Sequence, residues 1–345
     1  MAVMNEPDVA APRPLTLALL RLLADGEFHS GEVLARQLGV TRASVNNALH
    51  GIEQYNLNLY SVRGRGYRLS NSPQWLEVSQ INSHLAAAAA DFHLEVLDTV
   101  PSSNTLLMQR AAQGVPNGSV LAVEWQSGGR GRLGRSWHSG LGNALTFSLL
   151  WRFECGLSGL SGLSLATGVA LIRALHGMGI SGAGLKWPND VLGAGGKIAG
   201  ILIEAQGEML GPSAVVIGIG INLTLPQQLR PRIDQPVSAL SQLASVLPGR
   251  NLLLASVLYE LASVLRQFSA EGFASLREEW ENYHLYQNQE VQLSLPDGNI
   301  MQGVVRGVNR DGALLVEVKS AAGKPPEMRI FHAGEISLRG SHVAV

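Results

Sequence analysis

Between positions 126 and 137 the chain reads Gln126-Ser127-Gly128-Gly129-Arg130-Gly131-Arg132-Leu133-Gly134-Arg135-Ser136-Trp137. Glycine bends where a side chain would clash and admits close approach to a ligand. Arginine presents a fixed fork of donors that matches carboxylate and phosphate oxygens. A loop alternating the two suits an anionic small molecule; the bland alternative is a solvated basic turn. Gly129, Gly131 and Gly134 also satisfy the dinucleotide pattern G-x-G-x-x-G, with Glu154 20 residues beyond the last of them. That pattern needs a helix directly after the glycines, to hold a pyrophosphate at its N-terminus. The next periodic segment, Leu145–Trp151, reads as a strand, which argues against it.

Other stretches are placed to share a pocket with this loop. Pro101-Ser102-Ser103-Asn104-Thr105 turns from strand to helix and carries three hydroxyls and an amide, fit to cap its own helix or to hold a polar ligand group. Lys186-Trp187-Pro188-Asn189-Asp190 is too dense in special residues for an ordinary strand end. In Gly195-Gly196-Lys197-Ile198-Ala199-Gly200-Ile201-Leu202-Ile203-Glu204, Lys197 stands at the mouth of an apolar strand, where a lone ammonium needs an anionic partner. It is not a P-loop lysine, because Val191 replaces the first glycine and Ile198 the Ser/Thr. Gly218-Ile219-Gly220-Ile221-Asn222 adds close backbone approach and one amide. The sequence has no Cys/His metal cluster, no G-x-S-x-G elbow and no base beside a nucleophile. Guanidinium, ammonium, hydroxyl and amide groups suit a reaction in which the substrates bring the nucleophile and the protein holds phosphate charge.

The elements that must position these residues interleave. Strands are expected at Leu94–Asp98, Val120–Trp125, Leu145–Trp151, Leu185–Trp187, Ile198–Ala205 and Ala214–Leu223, and helices at Thr105–Gln113, Leu163–Met178 and Leu252–Glu271. The alanine run after Leu85 reads as the end of a linking helix. This is an α+β chain with one main sheet in its central, mixed α/β part, about residues 80–285.

Before it, residues 13–70 read as a winged helix-turn-helix. A helix over Leu15–Leu23 is followed by one over Val33–Leu38, with Ser30 as N-cap and Gly39 as stop. A third starts at Thr41 and buries Val45, Ala48, Leu49 and Ile52. Thr41, Arg42, Ser44, Asn46, Asn47 and His50 are then free for base edges and phosphates. Two strands over Leu59–Leu69 turn at Arg63-Gly64-Arg65 as the wing. Seven arginines face four acids here, a modest excess, so DNA affinity should be salt-dependent and helped by dimerisation. Winged helices also dock proteins, which is the alternative. After it, residues 288–341 show short strands with Asp-Gly turns, a small SH3-like β-barrel: Glu290–Leu295, Met301–Val308, Ala313–Val318, Met328–His332 and Glu335–Leu338. Arg339 lies beyond its last strand, within reach of the central site or simply solvated.

A net charge of −1 confines nucleic-acid affinity to a local patch. The single Cys155 excludes a disulfide framework, points to a reducing compartment and suggests a packing role. Without a signal-like start or a long uninterrupted apolar run, the expectation is a cytoplasmic protein with no membrane partner. The zone Leu163–Met178, broken by Gly168 and Arg173, reads as a buried helix, and residues 1–12 as a disordered tail.

Taken together, the glycine–arginine loop, Lys186–Asp190, Gly196–Leu202 and the ending Gly334-Glu335-Ile336-Ser337-Leu338-Arg339 resemble the bifunctional biotin–protein ligase/biotin operon repressor family over roughly Arg13 to Arg339. The resemblance implies that biotin and ATP with Mg2+ form biotinyl-5′-adenylate, whose acyl group then passes to a lysine of a biotin carboxyl carrier protein, an acetyl-CoA carboxylase subunit. It assigns the chemistry to Arg130 and Lys197. Biotin or its adenylate would be held by Ser102, Ser103, Asn104, Gln126, Gly129, Arg130, Gly131, Arg132, Trp137, Lys197, Gly200 and Gly218. The nucleotide side would be served by Arg132, Arg135, Lys186, Asn189, Asp190, Asn222 and Arg339. It further implies a ligand-induced homodimer that binds a palindromic operator and represses transcription with the adenylate as corepressor. Leu133 and Ser136 stand where close relatives carry basic residues, and Gln235–Leu240 lacks the tryptophan that relatives can stack on adenine. Lipoate- or octanoate-protein ligases share the central fold and are the nearest alternative. A biotin-sensing repressor without ligase activity and a ligase whose winged helix no longer binds DNA are the others.

Overall fold

Three short helices, α1 (Pro14–Leu22), α2 (Gly31–Leu38) and α3 (Arg42–Leu49), begin where the sequence supplies caps. Ser30 Oγ accepts from Val33 N at 3.2 Å and Thr41 Oγ1 from Ser44 N at 3.1 Å. Gly39 ends α2 at φ +64°, a left-handed turn that a side chain would strain. Val45, Ala48, Leu49 and Ile52 are buried, as the periodicity demands. Strands β1 (Leu59–Val62) and β2 (Gly66–Leu69) pair antiparallel as the wing. The Arg65 and Arg68 guanidinium carbons lie 4.1 and 4.9 Å from the Phe28 ring centroid, so cation–π contact pre-orders the wing's charge. This computed structural model describes residues 10–226, 233, 235–295, 298–318, 326–332 and 337–340. Most of the expected tail lies outside them.

Helix α4 (Val78–Leu85) follows, and the alanine run turns as a 3-10 segment (Ala86–Asp91) rather than continuing the α-helix. The central part then runs β3 (His93–Val100), α5 (Ser103–Ala112), β4 (Ser119–Gln126), β5 (Ala144–Phe153), α6 (Leu163–Gly177), β6 (Gly184–Lys186), β7 (Asp190–Gly193), β8 (Gly196–Gly207), β9 (Ser213–Asn222), α7 (Arg250–Glu271) and α8 (Arg277–Tyr283). The sheet order is β3-β4-β5-β9-β8-β7-β6. β3 and β4 are parallel, which requires the crossover through α5; the other pairs are antiparallel. Every residue of β9 is buried, hence its near-continuous apolar run. α6 and α7 cover one face, and α5 packs Leu107 and Ala111 on Leu121, Leu150 and Val216. By length and composition, residues 157–177 and 250–271 could each cross a bilayer, but here they are core helices.

Three expectations need correction. The strand expected to reach Trp187 stops at Lys186, and the chain turns over Trp187–Asn189, which includes a cis Trp187–Pro188 bond, into β7. β7 and α8 were not foreseen, being short and weakly periodic. Cys155 is exposed rather than packed, since β5 ends two residues before it.

The terminal modules are fastened to this sheet. Trp75, Trp125 and Leu141 enter the hydrophobic core of the N-terminal helices, and Tyr55 meets Trp125 edge-on with ring centroids 5.4 Å apart. The chain between module and sheet is clamped by a buried ion pair. Arg250 Nη1 donates to Glu124 Oε2 at 2.6 Å and to Gln74 O at 2.8 Å, while Leu76 N donates to Glu124 Oε1 at 2.7 Å.

At the other end, β10 (Glu290–Ser294), β11 (Ile300–Val308), β12 (Leu314–Val318), β13 (Glu327–Phe331) and β14 (Ser337–Gly340) form an antiparallel sheet ordered β13-β12-β11-β10-β14. Of the strand expected at Glu335–Leu338, Glu335 and Ile336 lie outside the described residues, and β14 extends to Gly340. Val291, Leu293, Val305, Leu314 and Val316 belong to the same core cluster as the central sheet. Trp187 Nε1 donates to Gly312 O at 3.0 Å across the junction.

His284 sits at that junction, 5% exposed and stacked on Trp280 at 4.5 Å. Burial pushes its imidazole down to about 4, with Gln287 offsetting only part of the shift. The unfolded chain therefore takes up a proton below pH 6.5 that the folded chain refuses until about pH 4. Stability should fall as pH drops through this window, by about 3 kcal/mol from this group. Urea midpoints at pH 7 and pH 5 should differ clearly less in His284→Phe than in the parent; an equal difference would remove His284 as the source.

Candidate active site

The arginine loop is a small hairpin. Trp137 N donates to Gly129 O at 2.8 Å and Gly131 N to Arg135 O at 2.7 Å, with Arg130 bridged to Ser136. Its tip is Leu133 at φ 55° and Gly134 at φ +74°. Leu133 is 76% exposed. The hairpin lies beside a cleft between the first turn of α5 and strands β5, β8 and β9.

One wall comes from the first turn of α5. Ser102 caps it, and Ser103 N donates to the Gln126 side-chain oxygen at 2.7 Å. Ser148 Oγ, fully buried on β5, lies 2.7 Å from Ser103 Oγ and 2.5 Å from Asn104 Oδ1. The Asn104 amide nitrogen donates to Leu202 O at 3.2 Å and to Glu204 Oε2 at 3.0 Å. The floor is glycine because side chains already fill the space. A Cβ on Gly218 would stand 2.2 Å from Asn104 Oδ1, and one on Gly220 would stand 2.4 Å from the Trp137 ring. Gly200 is held by the same ring and by Lys197 Nζ, 2.9 Å from its would-be Cβ.

The opposite end is cationic. Register pairs Leu202 with Gly218 and Gly200 with Gly220, so the amide wall and the Trp137 end are two residues, roughly 7 Å, apart along the strands. Lys197 Nζ lies 2.7 Å from Asp190 Oδ1 and 6.0 Å from the Trp137 ring centroid. Arg132 Nη1 donates to Asn189 Oδ1 at 3.2 Å, and Asn189 is itself fixed by donating to Ile201 O at 2.7 Å. Burial lowers the Arg132 pKa; Asp190 opposes that shift and Arg135 adds to it. A guanidinium remains charged regardless, so a poorly solvated cation is held beside the cleft. Arg130 Nη2 donates to Glu204 Oε2 at 2.6 Å.

Ser102, Ser103, Asn104, Gln126, Arg130, Gly131, Arg132, Trp137, Asn189, Lys197, Gly200 and Gly218 thus line one cleft. Asp190 stands behind Lys197, and Lys186 faces Asp190 across the β6–β7 pair. Gly129 is buried within the hairpin, and Arg135 points out from it, exposed. Asn222 shares the face of Gly218 and Gly220, but the segment 236–238 covers it. Its amide donates to Lys197 O at 3.3 Å and Ser238 O at 3.1 Å, so it braces that segment rather than facing the cleft. Arg339 pairs with Gln292 in β14, and its side chain lies outside the described residues. Sequence reasoning missed Ser148, Thr146 and Glu204. The available signal was polar residues at alternate positions in strands otherwise read as apolar.

In the N-terminal module Arg42, Asn46, Asn47 and His50 are exposed along α3, with Arg63 and Arg65 exposed on the wing. Ser44 is half-buried against Thr41 Oγ1 at 2.8 Å, and Asn46 Oδ1 accepts from Tyr67 at 3.2 Å.

Residues 96–222 match the Biotin/lipoate A/B protein ligase family, residues 15–68 an HTH domain and residues 286–339 the Biotin protein ligase C terminal domain. The bifunctional ligase/repressor BirA of Salmonella typhimurium is 35% identical over 325 residues, covering 94% of this chain and 98% of its own. That of Bacillus subtilis is 30% identical over 302 residues, covering 87% and 93%. Among solved structures, the biotin protein ligase of Aquifex aeolicus in complex with biotin and ATP is similar at a TM-score of 0.58 and 28% identity, over 72% of this chain and 99% of that one. The chain belongs to the bifunctional biotin–protein ligase/repressor family.

Proposed function

We propose that the cleft carries out both half-reactions of a biotin–protein ligase, with the site residues acting as follows. A carboxylate oxygen of biotin attacks the α-phosphorus of ATP. The bond to the bridging oxygen breaks, and pyrophosphate leaves. The ε-amine of a lysine on a biotin carboxyl carrier protein then attacks the acyl carbon, AMP departs with the bonding pair, and the amine loses its proton. Two anions have to meet, so the chain's task is positioning and charge. Lys197 and Arg132 hold carboxylate and phosphate oxygens together, while Arg130 and the hairpin close over the adenylate and keep water out. Ser102, Ser103, Asn104 and Gln126 receive the head group. Arg135, Lys186, Asn189 and Arg339 serve the nucleotide.

Mg2+ is usually held through one or two carboxylates and substrate phosphates. Asp190 and the Asn189 amide oxygen are already engaged by Lys197 and Arg132, so Mg2+ would arrive on the ATP phosphates rather than be held by these two side chains. The ion, when bound, neutralises phosphate charge.

The observation that carries this reading is the shared cleft: a hydroxyl–amide wall at one end, and Lys197 with the half-buried Arg132 at the other. A bicyclic urea with a carboxylate tail matches both. A dithiolane or an alkyl chain would leave the buried polar wall unanswered, a costly mismatch. The first measurement is ATP–pyrophosphate exchange with biotin, octanoate or lipoate, in the parent and in Arg130→Ala. Exchange with biotin alone, reduced at least about tenfold in the variant, is expected. Exchange with octanoate or lipoate instead would move the chain to the sister ligases, and silence with all three would leave a sensor without ligase activity.

In its second role the protein is a cytoplasmic repressor that dimerises on binding the adenylate and places two α3 helices on a palindromic operator. Arg42, Asn46, Asn47 and His50 face the groove, and Arg63 and Arg65 the phosphates. Replacing either wing arginine by alanine should weaken operator binding across sequences and reduce the slope of log K against log salt by about 1. An unchanged slope would take the wing off the DNA.

A further inference from the structure

Glu204 has no part in the roles assigned so far, yet one of its oxygens joins two pieces of the cleft. Oε2 accepts from Arg130 Nη2 at 2.6 Å and from Asn104 Nδ2 at 3.0 Å. The first donor belongs to the hairpin, the second to the head-group wall. We propose that Glu204 is a positioning residue for the ligase reaction: it fixes which atom Asn104 shows the ligand, and it tethers the hairpin through Arg130. The proposal rests on the biotin-ligase reading above.

The argument for Asn104 is one of donors and acceptors. Its amide nitrogen is committed to Leu202 O and Glu204 Oε2, both pure acceptors, while its oxygen faces Ser148 Oγ. A flipped amide would set oxygen against a carbonyl and a carboxylate, which repel it. With the nitrogen's two hydrogens used, Asn104 offers the cleft only the free lone pair of Oδ1. That atom reads an N–H donor, as a urea ring provides and a dithiolane does not. Gly218 leaves the room for it, since a Cβ there would collide with Oδ1 at 2.2 Å. Glu204 therefore sets head-group choice at one remove.

The argument for Arg130 is one of charge. In the free protein Trp137 holds the base of the hairpin against Gly200, and the Arg130–Glu204 pair, with side chains 44% and 29% exposed, is the charged contact between hairpin and β8 among the described residues. A half-exposed pair is a weak tether, strong enough to hold the hairpin near the cleft and weak enough to yield to a substrate anion.

The test uses the full-length protein with Glu204→Gln, Arg130→Ala and the double variant. Hydrogen exchange of hairpin amides 129–137 is read without ligand, so it does not depend on what the enzyme acts on. Exchange about fivefold faster in Glu204→Gln, and no faster again in the double variant, is expected of one shared contact. Unchanged or additive exchange would overturn the tether. For the head group, the KM for biotin in pyrophosphate exchange should rise about tenfold in Glu204→Gln with kcat changed less than about twofold. A fall in kcat with KM kept would overturn the Asn104 role. If the parent does not activate biotin at all, the ligase reading fails and the Asn104 role with it, while the exchange data still decide the tether.

Discussion

Lys197→Ala should lower the rate of biotin-dependent pyrophosphate exchange by about a hundredfold or more, while leaving the fold intact. Removing one preorganised donor from a charge-developing centre costs roughly 10²–10³ in rate. Lys197 qualifies because it is held on both sides. Its backbone is pinned by Lys197 N to Pro236 O at 3.0 Å and Ser238 N to Lys197 O at 2.9 Å, and its ammonium rests against Asp190. Lys197→Arg should not rescue fully, since a planar fork does not replace a compact point charge. A loss below about threefold in the alanine variant would mean that the anions meet elsewhere, with Arg132 as the next residue to test.

Glu124→Gln should cost about 3–5 kcal/mol of stability, the largest effect expected outside the cleft, because it strands a buried guanidinium. The two side chains are 0% and 3% exposed, and Arg250 Nε and Nη2 find no hydrogen-bond partner among the described residues. Thermal and urea unfolding followed by tryptophan fluorescence would register the loss, since Trp75 lies beside the clamp and Trp125 follows Glu124 in β4. The double variant Glu124→Gln/Arg250→Met should regain much of it, because a pair removed together leaves no orphan charge. Additive losses would show that the clamp is not a coupled unit.

The glycine–arginine loop was legible because both residue types are wasteful unless a ligand uses them. The caps at Ser30, Thr41 and Ser102 were legible because a cap is a local event. Lys197 was expected to need an anion, and finds Asp190 seven residues earlier on the neighbouring strand, a pairing that spacing alone does not give. Ser148 and Glu204 escaped notice because a hydroxyl or a carboxylate in an apolar strand looks like an outward position until a helix is known to lie over it. Asn222 misled for the converse reason. Its parity with Gly218 and Gly220 is right, but the segment covering it comes from 16 residues further on. Glu124, in the run Val120–Trp125, carried a signal that was passed over: a buried acid in a strand implies a buried base.

Trp125 and Gln126 are neighbours in β4 and so face opposite ways: one fills the core of the DNA-reading module, the other lines the cleft. Leu141, just past the hairpin, returns to that same core. The hairpin is thus slung between two posts planted in the repressor half. For an evolving lineage this makes the seam a shared inheritance. A descendant that discards the helix-turn-helix uncovers two large apolar side chains at the roots of the glycine–arginine hairpin. Any exchange of the two for polar residues would have to leave Gln126 in place, so a lost module would leave its mark in the ligase at positions outside the cleft lining.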